Sequence, residues 1–321
     1  VVNLFDIEEI FPGDDVGSGR LPRRRSGGSP QELAAILIAD YTLLTRAWLP
    51  SRAIVALLGE FGVAGGTART TISRMARRGV LEGSRHGRHS SYRLTEEVAT
   101  DLWNGGASIA AFTTHSDSWD GFWTIITFSI PEEHSTRRRA LRTELRWRGC
   151  APLYDAVWVS PRPLTPRGRA DVSAAARGMI TVFRAQHVEL ESGGDRNPVE
   201  AWDLRAITDQ YNAFIRRWSR LVPRITAGTV TGAAAVRARS EVMNAYRRFP
   251  VLDPVLPIDL LPSNWPRARA REVCVAVYDG LTQPAQEHVR AVVARFADGP
   301  HQDVKAHTIA ALSAGISHRH G

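Results

Sequence analysis

The stretch from Ala68 to Thr95, ARTTISRMARRGVLEGSRHGRHSSYRLT, admits few folds. At about 3.6 residues per turn, Ala68, Ile72, Met75, Ala76 and Gly79 share one narrow arc of a helix, and Arg69, Thr70, Ser73, Arg74 and Arg77 share the opposite arc. One side is small and apolar and must pack on something. The other carries three guanidinium forks between short hydroxyls. A basic last turn followed by Gly79 ends the helix as the dipole and a left-handed cap favour. The residues from Val80 to Thr95 then predict strand, polar tip, strand. The tip, Ser84 to Ser91, has no apolar side chain, whereas Val80, Leu81, Tyr92 and Leu94 give its base apolar feet.

What precedes this stretch supplies its packing partners. Ser29-Pro30-Gln31-Glu32 is a helix start, with Leu33, Ile36 and Leu37 at helical spacing. Pro50-Ser51 opens a second helix carrying Ile54, Val55, Leu57 and Leu58, stopped near Gly62, and Gly65-Gly66 makes a turn. Two helices, a basic third helix and a basic hairpin predict a winged helix-turn-helix over 31–112. Its outward residues have the chemistry of DNA recognition. Arginine reads guanine O6 and N7 through two parallel bonds, while serine and threonine reach phosphates or base edges without filling the groove. The candidate DNA-binding residues are Arg69, Thr70, Ser73, Arg74 and Arg77 on the helix, and Arg85, Arg88, His89 and Tyr92 on the hairpin.

Charge distribution agrees. The chain has 321 residues and a formal net charge of +8. Of its 41 basic residues only Lys305 is lysine, so the position of an arginine says more than its presence. Between Arg20 and Thr95 thirteen arginines face four acids, whereas the first nineteen residues hold five acids and no base. The positive charge therefore gathers in one early segment, as at a site that meets a polyanion. With 43% hydrophobic residues the chain can build real cores. Its longest apolar runs, such as Leu33–Ala39, are too short to span a bilayer. No membrane and no secretory leader are expected. Two cysteines, Cys150 and Cys274, make no disulfide framework and suit a reducing cytoplasm.

The remaining chain predicts an α+β protein. Residues 1–30, rich in Gly, Pro and charge, suggest a flexible arm. Over 113–225 the order is strand (GFWTIITFSIP), helix (EEHSTRRRALRTELRWRG), strand (APLYDAVWVSP), strand (MITVFRAQHVEL) and helix (AITDQYNAFIRRWSRLV), which suggests a ferredoxin-like α+β domain for dimerisation or effector binding. Over 226–321 a helix to about Arg248, a proline-punctuated strap (FPVLDPVLPIDLLPSNWP) and helices near 269–281 and 286–296 predict a helical C-terminal domain.

Other chemistry is weakly supported. Glu132-Glu133-His134 lies at a predicted helix start, where carboxylates complement the dipole. Cys150 is expected to be a buried thiol. His301, His307 and the terminal SHRHG have no Cys, Asp or Glu set at metal-ligand spacing, and a flexible tail is expected there. No cofactor is expected. Trp123, Trp158 and Trp265 could line an effector pocket, and Arg247, Arg248 and Arg271 could meet an acidic group of an effector.

Three ordered blocks carry a family resemblance. LGEFGVAGGTARTTISRMARRGVLEGSRHGRHSSYRLT, WTIITFSIPEEHSTRRRALRTELRWRGCAPLYDAVWVSP and YRRFPVLDPVLPIDLLPSNWP are similar, in that order, to the N-terminal module, the central domain and the C-terminal signature of the PaaX-type repressors of phenylacetate degradation. The resemblance implies a dimeric transcriptional regulator, usually a repressor. It would bind an inverted-repeat operator in double-stranded DNA and be released by an aryl-acyl-CoA effector. There are departures: Ala64 stands where the family has a serine cap, so the helix is expected to start at Thr67 or through a looser turn, and Val80 replaces an aromatic residue. Two other classes stay open on the residues alone. One is an enzyme on the same scaffold acting on an aromatic or acyl metabolite. The other is a nonspecific chromatin protein.

Overall fold

The computed structural model describes residues 29–87, 89–112, 118–176, 179–190, 195–297 and 301–314. The protein is α+β, with two antiparallel sheets and most remaining residues in helices. It divides into two compact units. One comprises 1–113, 212–249 and 267–321, the other 114–211 and 250–266. The expected segment 31–112 thus shares a unit with most of 226–321, and the proline strap goes with the segment after 113. The arm expected over 1–30 lies outside the described residues up to position 28.

The first unit opens with α1 (Pro30–Thr42), whose start is fixed by Ser29: its Oγ accepts a bond from Glu32 N at 3.1 Å, with proline in the first turn. A two-residue strand, β1 (Leu49–Pro50), leads into α2 (Ser51–Glu60), and Gly62 turns the chain at φ 83° toward α3 (Gly65–Arg77). The hairpin follows as β2 (Leu81–His86) and β3 (His89–Leu94), paired from Leu81↔Leu94 to His86↔His89. β1 adds to the other edge of β3, giving the order β1-β3-β2. The core beneath is made by Leu37, Ile38 and Tyr41 of α1, Ile54, Leu57 and Leu58 of α2, Ala68, Ile72 and Met75 of α3, and Val80, Leu81 and Leu94 of the hairpin base. α4 (Glu96–Ala111) begins with two glutamates in its first turn, favourable to the dipole.

From residue 212 the same unit contains the second half of α7 (Leu204–Ser219), then α8 (Val222–Thr226), α9 (Gly232–Tyr246), α11 (Arg267–Tyr278), α12 (Thr282–Val293) and α13 (Ile309–Ser313). Buried Ala235, Val236, Val242, Val273, Val277, Val289 and Val293 knit these helices together. A polar network crosses the packing. Tyr278 Oη donates to Asp40 Oδ1 at 2.7 Å and lies 2.9 Å from His307 Nε2. Arg239, fully buried, donates to the Tyr278 and His307 carbonyls and to Thr282 Oγ1, with its guanidinium 3.6 Å from the Tyr278 ring centre. His307, expected in a flexible tail, is instead buried, because Tyr278 and the Arg239 fork hold it there.

The second unit runs β4 (Trp123–Phe128), a 3-10 turn at Glu132–His134, α5 (Ser135–Trp147), β5 (Ala151–Tyr154), β6 (Val157–Ser160), α6 (Pro166–Ala176) and β7 (Ile180–Ala185). The sheet order is β5-β6-β4-β7 and all pairings are antiparallel. The core holds Ile126, Phe128, Leu141, Leu145, Cys150, Trp158 and Val172. The single strand expected over APLYDAVWVSP is two, since Asp155 and Ala156 form a tight turn between β5 and β6. The strap is not wholly irregular either: it holds a short α10 (Phe249–Leu252) and a 3-10 turn at Ile258–Leu260. Asp253 anchors it, accepting Tyr211 Oη at 2.7 Å and Trp265 Nε1 at 3.2 Å.

Candidate nucleic-acid interface

On α3 the two arcs separate as their chemistry requires. Ala68, Ile72 and Met75 are 0–1% exposed, Ala76 is half-buried, and Gly79 turns outward at φ 73° to end the helix. Arg69, Thr70, Ser73, Arg74 and Arg77 are all exposed. Among the described residues no carboxylate pairs with Arg69, Arg74 or Arg77. The acids near the hairpin base are already engaged. Glu82 Oε1 takes Arg46 Nη2 at 2.5 Å and Arg93 Nε at 2.7 Å, and Glu96 lies 3.5 Å from Arg46. Arg93 also lies over the Trp48 ring, 4.4 Å from its centre, so this arginine braces the hairpin. Thr70 Oγ1 donates back to Gly66 O at 3.0 Å, leaving its oxygen lone pairs outward.

Of the two expected starts for α3, Thr67 or a looser turn, Thr67 is not used: the helix begins two residues earlier, at Gly65. Ala64 is its N-cap at φ −59°, ψ 140°, and no side chain caps the first turn. The backbone does the work, with Ala68 N donating to Ala64 O at 2.9 Å. The open N–H groups of this turn are flanked by two glycines, so little bulk surrounds them.

On the hairpin, Arg85 and His89 are exposed, and Tyr92 is half-buried with its ring against Gly83, where an added Cβ would meet Cε1 at 3.2 Å. Arg88 lies outside the described residues. Arg52 on α2 and Arg78 at the end of α3 are also exposed. Sequence reasoning left both out, although Arg78 was visible as the basic residue before the helix-ending glycine.

Of the six effector candidates, Trp123, Trp158 and Trp265 belong to the second unit and Arg247, Arg248 and Arg271 to the first. Trp158 is 1% exposed within the core of the second unit, among Ile126, Leu141, Leu145 and Val172. Trp265 is tied to Asp253. Arg247 is buried against Glu32 of α1, so it holds the fold of the first unit. Arg271 Nη1 donates to Ala110 O at 2.5 Å, and Arg248 is exposed. Trp123, also 1% exposed, borders a cavity. It meets Trp119 edge-on at 5.3 Å and Trp202 in a stack at 6.1 Å, beside a space of about 460 Å³ bordered also by Gln186, His187 and Asn197. Sequence reasoning did not single out Trp119 for this role. Cys150 is 4% exposed, and burial pushes its thiol up to about 12. Among the described residues no His, Cys, Asp and Glu cluster could hold a metal ion, and no helix is long and apolar enough to cross a membrane.

Comparison with known proteins gives an ordered match along the chain. The family model described as PaaX-like protein matches residues 31–98, that of the PaaX protein central Cas2-like domain matches 116–196, and that of the PaaX-like protein C-terminal domain matches 202–291. The transcriptional repressor PaaX of Escherichia coli (strain K12) is 29% identical over 247 residues, which span 74% of this chain and 75% of that protein. A solved structure, the uncharacterized protein Rv0674 from Mycobacterium tuberculosis, is similar at 22% identity and a TM-score of 0.49, over 80% of this chain and 95% of its own. With all three domain models matched in sequence order, the chain belongs to the PaaX family.

Proposed function

We propose that the protein is a sequence-specific DNA-binding transcriptional repressor, working as a homodimer on an inverted-repeat operator and released by a small effector. The observation that carries this reading is the α3 face: three exposed arginines without a carboxylate partner, interleaved with Thr70 and Ser73, on a helix whose other side is sequestered. Three helices and a three-stranded β1-β3-β2 sheet support a winged helix-turn-helix. In that reading α3 enters the major groove, Arg69, Arg74 and Arg77 address guanine edges or phosphates, and the hairpin with Arg85, Arg88, His89 and Tyr92 rests on the adjacent backbone. Similarity to a protein named as a transcriptional repressor supports the regulatory role. The βαββαβ order of the second unit supports a ferredoxin-like domain there.

For the effector, the Trp119–Trp123 cavity is the best-formed candidate. Its volume suits a small molecule, and the half-buried Trp119 indole, backed by the buried Trp123, offers an apolar wall to an aromatic group. Release requires that the effector bind one arrangement of the two heads more tightly than the other. The test of the main reading is selection of bound sequences from a random DNA pool. A palindromic consensus supports it; retention that depends on salt but not on sequence overturns it.

A further inference from the structure

Resting on the DNA-binding reading above, we propose that Arg216, Arg220 and Arg224 form a second contact surface for the phosphate backbone of duplex DNA. The three arginines recur every fourth residue along the end of α7, the following turn and α8, and all are exposed. Three exposed like charges within nine residues repel one another and favour a bound anion. The chain does not provide one. Glu241 is taken by Arg217 at 2.7 Å, and Arg217 also lies over the Trp218 ring. Among the described residues no carboxylate or aromatic ring pairs with Arg216, Arg220 or Arg224.

The stripe is anchored, and a run of contacts leads from it to the turn before α3. Ile225 packs toward α11, where a Cβ added to Gly280 would meet Ile225 Cγ2 at 2.8 Å. Thr229 donates twice to Arg224 O, through N and Oγ1, each at 3.0 Å. Three residues later Gly232, at φ 61°, lies against His288, whose Nδ1 is 3.7 Å from an ideal Cβ there. His288 Nε2 lies 2.8 Å from Glu60 Oε1, and Arg237 Nη1 donates to Glu60 O at 3.2 Å. Glu60 is the last residue of α2, and α3 starts at Gly65. The stripe and α3 therefore belong to one compact unit joined through the α2–α3 turn. A closely spaced series of exposed cations suits a polyanion with a phosphate every ~3.4 Å of each strand. A duplex docked on α3 and continuing past the operator core is the polyanion such a unit would meet.

The test follows binding of the selected operator, carried on a longer duplex, by fluorescence anisotropy between about 50 and 200 mM salt. Wild type is compared with Arg216→Ala/Arg220→Ala/Arg224→Ala, with the corresponding triple lysine variant and with Arg74→Ala. The alanine triple is expected to flatten the slope of log K against log salt by about 2 to 3 per protomer, hence about 5 for the bound dimer, to bind more weakly at low salt, and to keep the selected consensus. The lysine triple should retain the wild-type slope, since a phosphate contact needs the charge more than the fork. A wild-type slope in a folded alanine triple overturns the proposal. Should the triple fail to fold, Arg220→Ala alone decides, with an expected slope change of about 0.9 per protomer, about 2 for the dimer. If wild type selects no sequence, the DNA-binding reading fails and this one with it. If Arg74→Ala weakens binding while the alanine triple does not, the stripe alone is refuted.

Discussion

The residue that best distinguishes recognition from mere charge is Arg74. It sits in the last turn of α3, exposed, one residue before Met75, which is wholly buried, so its backbone is fixed while its fork is free. A fork held this way can bond two acceptors of one guanine. Arg74→Ala should therefore weaken operator binding by about 1–3 kcal/mol and relax the base preference at one position, which a repeated pool selection with the variant would show. An unchanged consensus at unchanged affinity would place Arg74 away from the bases. Cys150 illustrates the opposite case, a reactive side chain disarmed by its site. Burial outweighs the nearby Arg148 and pushes the thiol up to about 12, so almost no thiolate exists at neutral pH. Alkylation with iodoacetamide at pH 7.5, followed by mass spectrometry, should leave Cys150 unmodified until denaturant is added.

At the scale of elements, α3 is a helix with an unfinished start. Ala64 offers its N-cap position no side-chain acceptor, whereas Ser29 does that work for α1. Ala64→Ser supplies the missing bond and should raise stability by about 0.5–2 kcal/mol, read as a higher urea midpoint at unchanged slope. The cap was legible as missing in the sequence, but the helix still starts at Gly65, because a carbonyl-to-amide bond from Ala64 to Ala68 suffices once Ala68 is buried. The same contrast runs through the fold. The helices around the hairpin were legible because their apolar residues repeat at helical spacing and their ends carry Ser-Pro, Pro-Ser and Gly. The β5–β6 turn was not, because Asp155-Ala156 lies inside an apolar run and only the antiparallel pairing of β5 with β6 reveals the break. The α3 face was legible because burial of one arc leaves the other no choice. Effector residues were not: whether a tryptophan becomes core, as Trp158 does, or cavity wall, as Trp123 does, depends on what packs over it.

For the molecule as a whole, the buried network around Arg239 ties α1, the first helix of the first unit, to α9, α11, α12 and the segment before α13. That tie has a pH signature through His307. Burial, and then the charge of Arg239, hold its imidazole down to about 3, against a usual value near 6.5. Below pH 6.5 the unfolded chain takes up a proton that the folded His307 refuses until about pH 3. The unfolded state therefore binds more protons across that window, and stability falls as pH falls through it, by about 1.4 kcal/mol per pH unit for one fully coupled proton. Asp40 acts in the opposite sense, because burial raises its pKa despite Arg239, Tyr278 and Ser240, and the folded state then holds a proton that the unfolded carboxylate releases. The contribution of His307 is isolated by comparison with His307→Gln, which cannot titrate. Stability from urea unfolding is expected to fall more steeply with acid in wild type than in the variant between about pH 6.5 and 4.5. Parallel curves across that interval would mean that His307 reaches solvent and that the tie between α1 and the C-terminal helices opens before the rest of the unit unfolds.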